Sequence, residues 1–200
     1  MMRLSEALAV LRAVRGDAEV VITTMAPARD WMALAGGALH PLDLVLVPSA
    51  MGQATSMGLG LALAQPQRRV IICNGDGSML MNLGSLVSIT AAAPKNLVLI
   101  VCDNGTYEVT GAQPTPGSAA GREDGRAVDF VGMARACGFQ TAHRFADARA
   151  WKQAARAVID GAGPTFVLLD IASIPGIPGP RSPGPASERS RRFMEALQPP

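Results

Sequence analysis

The chain has 200 residues, 48% of them hydrophobic and 17% charged, so it can bury a sizeable core and is not disordered in composition. A formal net charge of +2 gives no electrostatic footprint for nucleic acid, and no run reaches the roughly eighteen apolar residues of a membrane span. Three cysteines, Cys73, Cys102 and Cys137, have neither metal nor redox spacing, which fits a reducing, cytoplasmic setting.

Residues 1–16 lack a secretory core. Leu4, Leu8, Leu11 and Val14 instead make a helical stripe for packing on a sheet or a partner. Residues 19–24 read as the first strand, and 25–31 as a loop entering a helix. On that loop Arg29 could meet an acidic substrate or be a solvated helix-start residue, and the sequence leaves both open. Trp31 reads as packing. His40 lies in a Gly-rich turn and His143 near a strand end; neither has a visible partner, which favours structural or surface roles. Residues 43–47 read as a second strand and 48–52 as the turn at its C-terminal end. A helix rich in small residues follows through Ala64, able to pack closely on the sheet or at a subunit contact. Gly58-Leu59-Gly60 lacks a third glycine and sits inside that helix, so it is not a dinucleotide fingerprint, and no GK[ST] marks a P-loop.

The apolar run 69–73 enters Gly75-Asp76-Gly77-Ser78, a strand running into a tight turn. A helix is expected next, with Leu80, Leu83, Leu86, Val87 and Ile89 on one side and Pro94 as its stop. A second apolar run, 97–102, ends in Asp103-Asn104-Gly105. Beyond a loop after Gln113 come a helix at 127–136, a strand at 140–145, a helix at 147–159 and a last strand at 165–171. A Pro/Gly-rich arm, 173–186, leads to a terminal helix at 188–197. The alternation predicts an α/β fold, a three-layer parallel sheet with helices on both faces. Residues 1–172 are expected to form one domain, with 173–200 as the arm and its helix.

Two successive parallel strands end at one sheet edge, where ligands bind in open α/β sheets. This sets Asp76 beside Asn104. A carboxylate, an amide oxygen and a backbone carbonyl exposed by the bend at Gly105 and Thr106 form a hard-oxygen set suited to Mg²⁺. The N–H groups of Gly77 and Ser78 favour an anion beside it. The reading is a Mg²⁺–diphosphate site.

Gly75-Asp76-Gly77, twenty-five residues, then Asp103-Asn104 resembles the thiamine diphosphate (ThDP) motif. In that family the GDG aspartate, the second Asn and a carbonyl two residues on hold the metal, which here implies Asp76, Asn104 and Thr106. Asp103 stands where the family usually has its first Asn, a position that is not a ligand. The run Asn104-Gly105-Thr106-Tyr107-Glu108-Val109-Thr110-Gly111-Ala112-Gln113-Pro114-Thr115 is similar to the NGxYESTGGQPT of sulfopyruvate and phosphonopyruvate decarboxylases. Ser49-Ala50-Met51-Gly52-Gln53-Ala54-Thr55-Ser56-Met57-Gly58-Leu59-Gly60 resembles their GSMGxASSIGLG.

The resemblance implies a ThDP fold in which this chain is the diphosphate-binding (PP) domain. It places Gly75, Gly77, Ser78, Asn104, Thr106, Tyr107 and Glu108 on the cofactor. The Ser49 carbonyl, Ala50 and the Met51 N–H would face the pyrimidine, with Met51 shaping the cofactor's bend. The activating glutamate of the family sits on a pyrimidine-binding (PYR) domain, so a separate PYR subunit is expected in a hetero-oligomer such as α2β2 or larger. The implied activity is decarboxylation of a small anionic 2-oxoacid, sulfopyruvate or phosphonopyruvate. The rival readings are an acetolactate-synthase-like carboligase subunit and a non-catalytic cofactor-binding subunit. A 2-oxoacid oxidoreductase subunit would need an iron–sulfur route, for which the cysteines are unsuited. No nucleic acid or membrane is expected as a partner.

Overall fold

A computed structural model describes residues 1–47 and 51–198. The predicted strands form with small shifts at their ends: β1 (Val20–Thr24), β2 (Asp43–Leu46), β3 (Val70–Gly75), β4 (Leu97–Asp103), and, after a short hairpin, β7 (Thr141–Phe145) and β8 (Thr165–Asp170). They make one six-stranded, wholly parallel sheet in the order β2-β1-β3-β4-β8-β7. Side chains alternate between the faces, so each central strand feeds two cores. Val21, Ile71, Val98, Ile100 and Val167 face α1 (Leu4–Val14), α2 (Met25–Leu34) and α7 (Ala148–Asp160). Val20, Ile22, Ile72, Leu99 and Phe166 lie in a second core with Ala54 and Ala62 of α3 (Ala54–Ala64), and with residues of α5 (Ser85–Ala92), α6 (Phe130–Ala136) and α8 (Ala186–Leu197). The N-terminal stripe behaves as expected. Leu4, Leu8 and Leu11 are buried, and the Trp151 indole N–H of α7 donates to the Ala7 carbonyl at 3.0 Å.

Three expectations need correction. The helix after β1 starts at Met25 itself, with no intervening loop. Pro27 falls in the first helical turn, where a missing N–H costs no intrahelical bond, so it does not delay the start. The helix expected between β3 and β4 is two: α4 (Asp76–Leu80) and α5, separated by a turn. At the break the Asn82 amide donates to the Gly52 carbonyl at 2.8 Å and to Ser56 Oγ at 3.1 Å, and Ser85 Oγ donates to the Asn82 carbonyl at 2.7 Å. These local polar bonds compete with the helical ladder. The break rotates the stripe: Leu86 and Ile89 are buried, but Val87 is 56% exposed. The later helix begins at Phe130, not at 127, because the Asp129 carboxylate accepts the Gly132 N–H at 2.9 Å and caps it there.

A feature absent from the sequence reading is the antiparallel hairpin β5 (Thr106–Tyr107) and β6 (Gln113–Pro114), which stands on the C-terminal edge of the sheet. On the outer side of α3 and around α4–α5, Met57, Leu63, Met81 and Val87 remain exposed. Among the described residues no helix is long and apolar enough to cross a membrane.

The seating of α3 on β3 depends on Gly58, whose absent side chain leaves room for Ile72 and Ile22. Gly58→Val is expected to lower stability by roughly 1–3 kcal/mol through overpacking, measured by urea unfolding.

Candidate functional site

The β3–β4 register sets Gly75 against Cys102, so the residues after both strands emerge together. There they line an open cleft. Met51, Gly75, Asp76, Gly77, Ser78, Asn104, Thr106, Tyr107 and Glu108, all singled out from sequence, lie on its wall. Ser49 and Ala50 lie outside the described residues. Met25, Ala26 and Pro27 close the side beneath β1, and Ile171 the side beneath β8.

Asp76 is 3% exposed and opens α4. Thr115 Oγ1 donates to its Oδ2 at 3.1 Å, and the backbone N–H groups of Gly77 and Asn104 also favour its ionised form. Burial, reinforced by the neighbouring Asp103 carboxylate, outweighs these donors and pushes the Asp76 pKa up to about 7. Among the described residues Asp76 has no ion-pair partner. A bound cation would supply the missing charge. The Asn104 Oδ1 accepts the Thr106 N–H at 2.9 Å, which fixes the amide and leaves a second lone pair on that oxygen. One carboxylate, one amide oxygen and carbonyls fit Mg²⁺ completed by phosphate and water. No group of three or more His, Cys, Asp or Glu able to hold a metal occurs among the described residues.

Gly77 is required by close approach: a side chain there would run into the Tyr107 ring. Ser78 is buried, and its Oγ accepts the Gly52 N–H at 3.0 Å, tying α4 to the chain after Met51. Glu108 is buried on the cleft wall. Its Oε2 meets Arg29 Nη1 at 3.2 Å, and its Oε1 accepts the Ile174 N–H at 3.2 Å. Arg29 is thus no solvated helix-start residue. It bonds Asp30 at 2.7 Å as well, and its buried Nη2 has no hydrogen-bond partner among the described residues. Thr115 and Arg29 are the functional neighbours that sequence reasoning missed or left open. Thr115 lay within the quoted motif; Arg29 had only its position on an edge segment.

His40 is engaged structurally: its Nδ1 accepts the Leu42 N–H at 3.2 Å and lies 3.3 Å from Arg15 Nη2. His143 stacks on Phe145 in edge strand β7. Cys73 and Cys102 are buried core residues, and burial pushes the Cys73 thiol up to about 12.

The fold and site define a parallel α/β domain of the thiamine diphosphate type. Residues 28–169 match the family described as Thiamine pyrophosphate enzyme, C-terminal TPP binding domain, and the chain belongs to that family. It is 38% identical over 181 residues to a phosphonopyruvate decarboxylase of Streptomyces viridochromogenes, covering 89% of this chain and 42% of that one. It is 36% identical over 171 residues to a sulfopyruvate decarboxylase subunit beta of Methanothermobacter thermautotrophicus, covering 86% of this chain and 83% of that one. The chain therefore spans less than half of the first relative and most of the second. A structure described as a thiamin diphosphate-dependent enzyme of Mycobacterium smegmatis superposes with a TM-score of 0.67 at 17% identity. The match covers 86% of this chain and 32% of that one, and it speaks to the fold alone.

The Asp76 shift predicts a pH dependence. The folded, metal-free chain keeps this proton up to about pH 7, whereas an unfolded aspartate releases it near pH 4. Between those values the folded state binds more protons, so this contribution to stability is present in acid and is lost as pH rises to 7. Asp76→Asn should flatten that fall and raise the metal-free Tm at pH 8, by roughly 2–4 °C for each kcal/mol recovered. Thermal unfolding in chelator from pH 4 to pH 8 checks it.

Proposed function

We propose that this chain is the diphosphate-binding subunit of a two-chain, ThDP- and Mg²⁺-dependent 2-oxoacid decarboxylase. Its substrate would be sulfopyruvate, phosphonopyruvate or a similar acidic 2-oxoacid. The observation that carries the reading is the meeting of Asp76, Asn104 and Thr106 on one cleft at the ends of β3 and β4. The similarity to a sulfopyruvate decarboxylase subunit beta over most of its length supports the subunit assignment. Met57, Leu63, Met81 and Val87, exposed on α3 and around α4 and α5, support a contact with a PYR-domain partner. Residues 1–172 would be the diphosphate-binding domain and 173–200 its arm and terminal helix.

In this assignment the Asp76 carboxylate, the Asn104 Oδ1 and the Thr106 carbonyl hold Mg²⁺. Gly75, Gly77 and Ser78 receive the diphosphate. Ser49, Ala50 and Met51 meet the pyrimidine, and Tyr107 and Glu108 form the facing wall. When bound, the cofactor supplies the electron sink that lets a 2-oxoacid release CO₂. The chain's own residues hold and orient it. Thr115 aims Asp76, the Thr106 N–H aims Asn104, and Arg29 neutralises Glu108 so that an anionic substrate does not meet an uncompensated acidic wall.

Asp76→Ala is expected to abolish Mg²⁺-dependent ThDP binding in calorimetry while the chain stays folded; unchanged affinity would overturn the metal assignment. Met51→Gly should lower turnover of the reconstituted enzyme more than it lowers affinity for inorganic diphosphate, because proximity within the cofactor is lost. Mixed with a PYR partner, the chain should release CO₂ from sulfopyruvate or phosphonopyruvate. Turnover by the purified chain alone at about 1–10³ s⁻¹ would refute the split site.

A further inference from the structure

The β5–β6 hairpin carries Thr106, Tyr107 and Glu108, yet two residues per strand cannot sustain a hairpin in water. Within itself it has the bonds Ala112 N–H to the Tyr107 carbonyl at 2.9 Å and Thr115 N–H to the Gly105 carbonyl at 2.8 Å. The remaining ties come from outside, and several come from the chain that continues beyond β8. Thr106 Oγ1 and Ser173 Oγ share a hydrogen bond at 2.8 Å, and the Ile174 N–H donates to Glu108 Oε1 at 3.2 Å. Farther along, Gly179 lies so close to Val109 that a side chain there would meet Val109 Cγ1 at 2.8 Å.

Both ends of this segment are anchored. At the near end the Ile171 N–H bonds the Asp103 carbonyl at 2.8 Å, and the Ala172 N–H bonds the Met2 carbonyl at 2.9 Å. At the far end all three donor nitrogens of Arg189 go to backbone carbonyls. Nε reaches Gly184 at 3.1 Å, Nη1 reaches Val45 at 2.6 Å, and Nη2 bonds Val47. Phe193 is buried in the core beside it. Residues 173–185 are therefore stretched between two fixed points across the edge of the cleft.

We propose that the segment after β8 is a strap that sets the position of the β5–β6 hairpin, and that Ser173, Ile174 and Arg29 are positioning residues for the cofactor cleft. Ile174 and Arg29 act through Glu108, and Ser173 acts through Thr106. The inference rests on the cofactor assignment above. The strap residues Ser173 and Ile174 lie beyond the matched family region, which ends at residue 169. The Glu108 carboxylate is the joint. One oxygen goes to α2 and the other to the strap, so a buried charge loses part of its compensation if either side is removed. Through it the three segments that border the cleft, after β1, β4 and β8, are fixed relative to one another.

The test uses the full chain and amide hydrogen exchange. Ile174→Pro deletes the N–H while altering a side chain that is 39% exposed, and Ser173→Ala deletes only a hydroxyl. In each, exchange of amides 105–115 should quicken by about tenfold, ThDP affinity with Mg²⁺ should fall by about tenfold, and amides of β3 and β4 should keep their rates. Arg29→Met should loosen the same hairpin from the other side. Unchanged hairpin exchange in both strap variants would overturn the proposal. So would a loosened hairpin with unaltered ThDP affinity, or a loss of protection spread evenly over the core. If the unmodified chain takes up no ThDP even when mixed with a PYR partner, the cofactor assignment fails, and hairpin exchange still decides whether the strap holds it.

Discussion

A carboxylate buried at the end of a parallel sheet, with no ion-pair partner among the described residues, is the constraint around which the molecule is arranged. Asp76 is placed by the turn from β3 into α4, and its position is set by the pairing of β3 with β4. Nothing in the surrounding cores benefits from an ionised group there, since desolvation disfavours its charge. The sheet edge instead surrounds it with donors from its own turn and from two other segments: the Gly77 amide, the Asn104 amide and Thr115 Oγ1. A site that destabilises its own empty state in this way is poised to gain from a cation, and the same feature makes its stability depend on pH.

The rest of the edge holds that arrangement still. Gly77 admits the Tyr107 ring, and Ser78 ties α4 to the chain beyond β2. Asn82, at the α4–α5 break, bonds the carbonyl of Gly52 at the entrance to α3. Each contact joins segments far apart in sequence that follow strands of one sheet, β2, β3 or β4, at their C-terminal ends. The cleft is thus a property of strand order as much as of any motif.

The strands and most helices were legible because buried parallel strands read as unbroken apolar runs and amphipathic helices as periodic ones. Asp76 and Asn104 were legible because their spacing requires one βαβ unit. The meeting of Asp76 with Thr115, and that of Arg29 with Glu108, spans 39 and 79 residues and has no local signature. The break at Asn82 escaped notice for a related reason. It is made by bonds to Gly52 and Ser56, so the periodicity of residues 80–89 carries no trace of it. The immediate start of α2 was hidden by Pro27, which reads as a loop residue until its place in the first turn is known.

The terminal helix has one more effect, at the outer margin of the sheet. β2 is an edge strand: the Leu42 carbonyl serves β1, whereas the carbonyls of Val45 and Val47 receive Arg189 instead of a seventh strand. A guanidinium seated on an open ladder, with Phe193 buried in the core beside it, blocks edge-to-edge strand addition at that margin. Growth of the sheet into a neighbouring chain is thereby closed off at that margin.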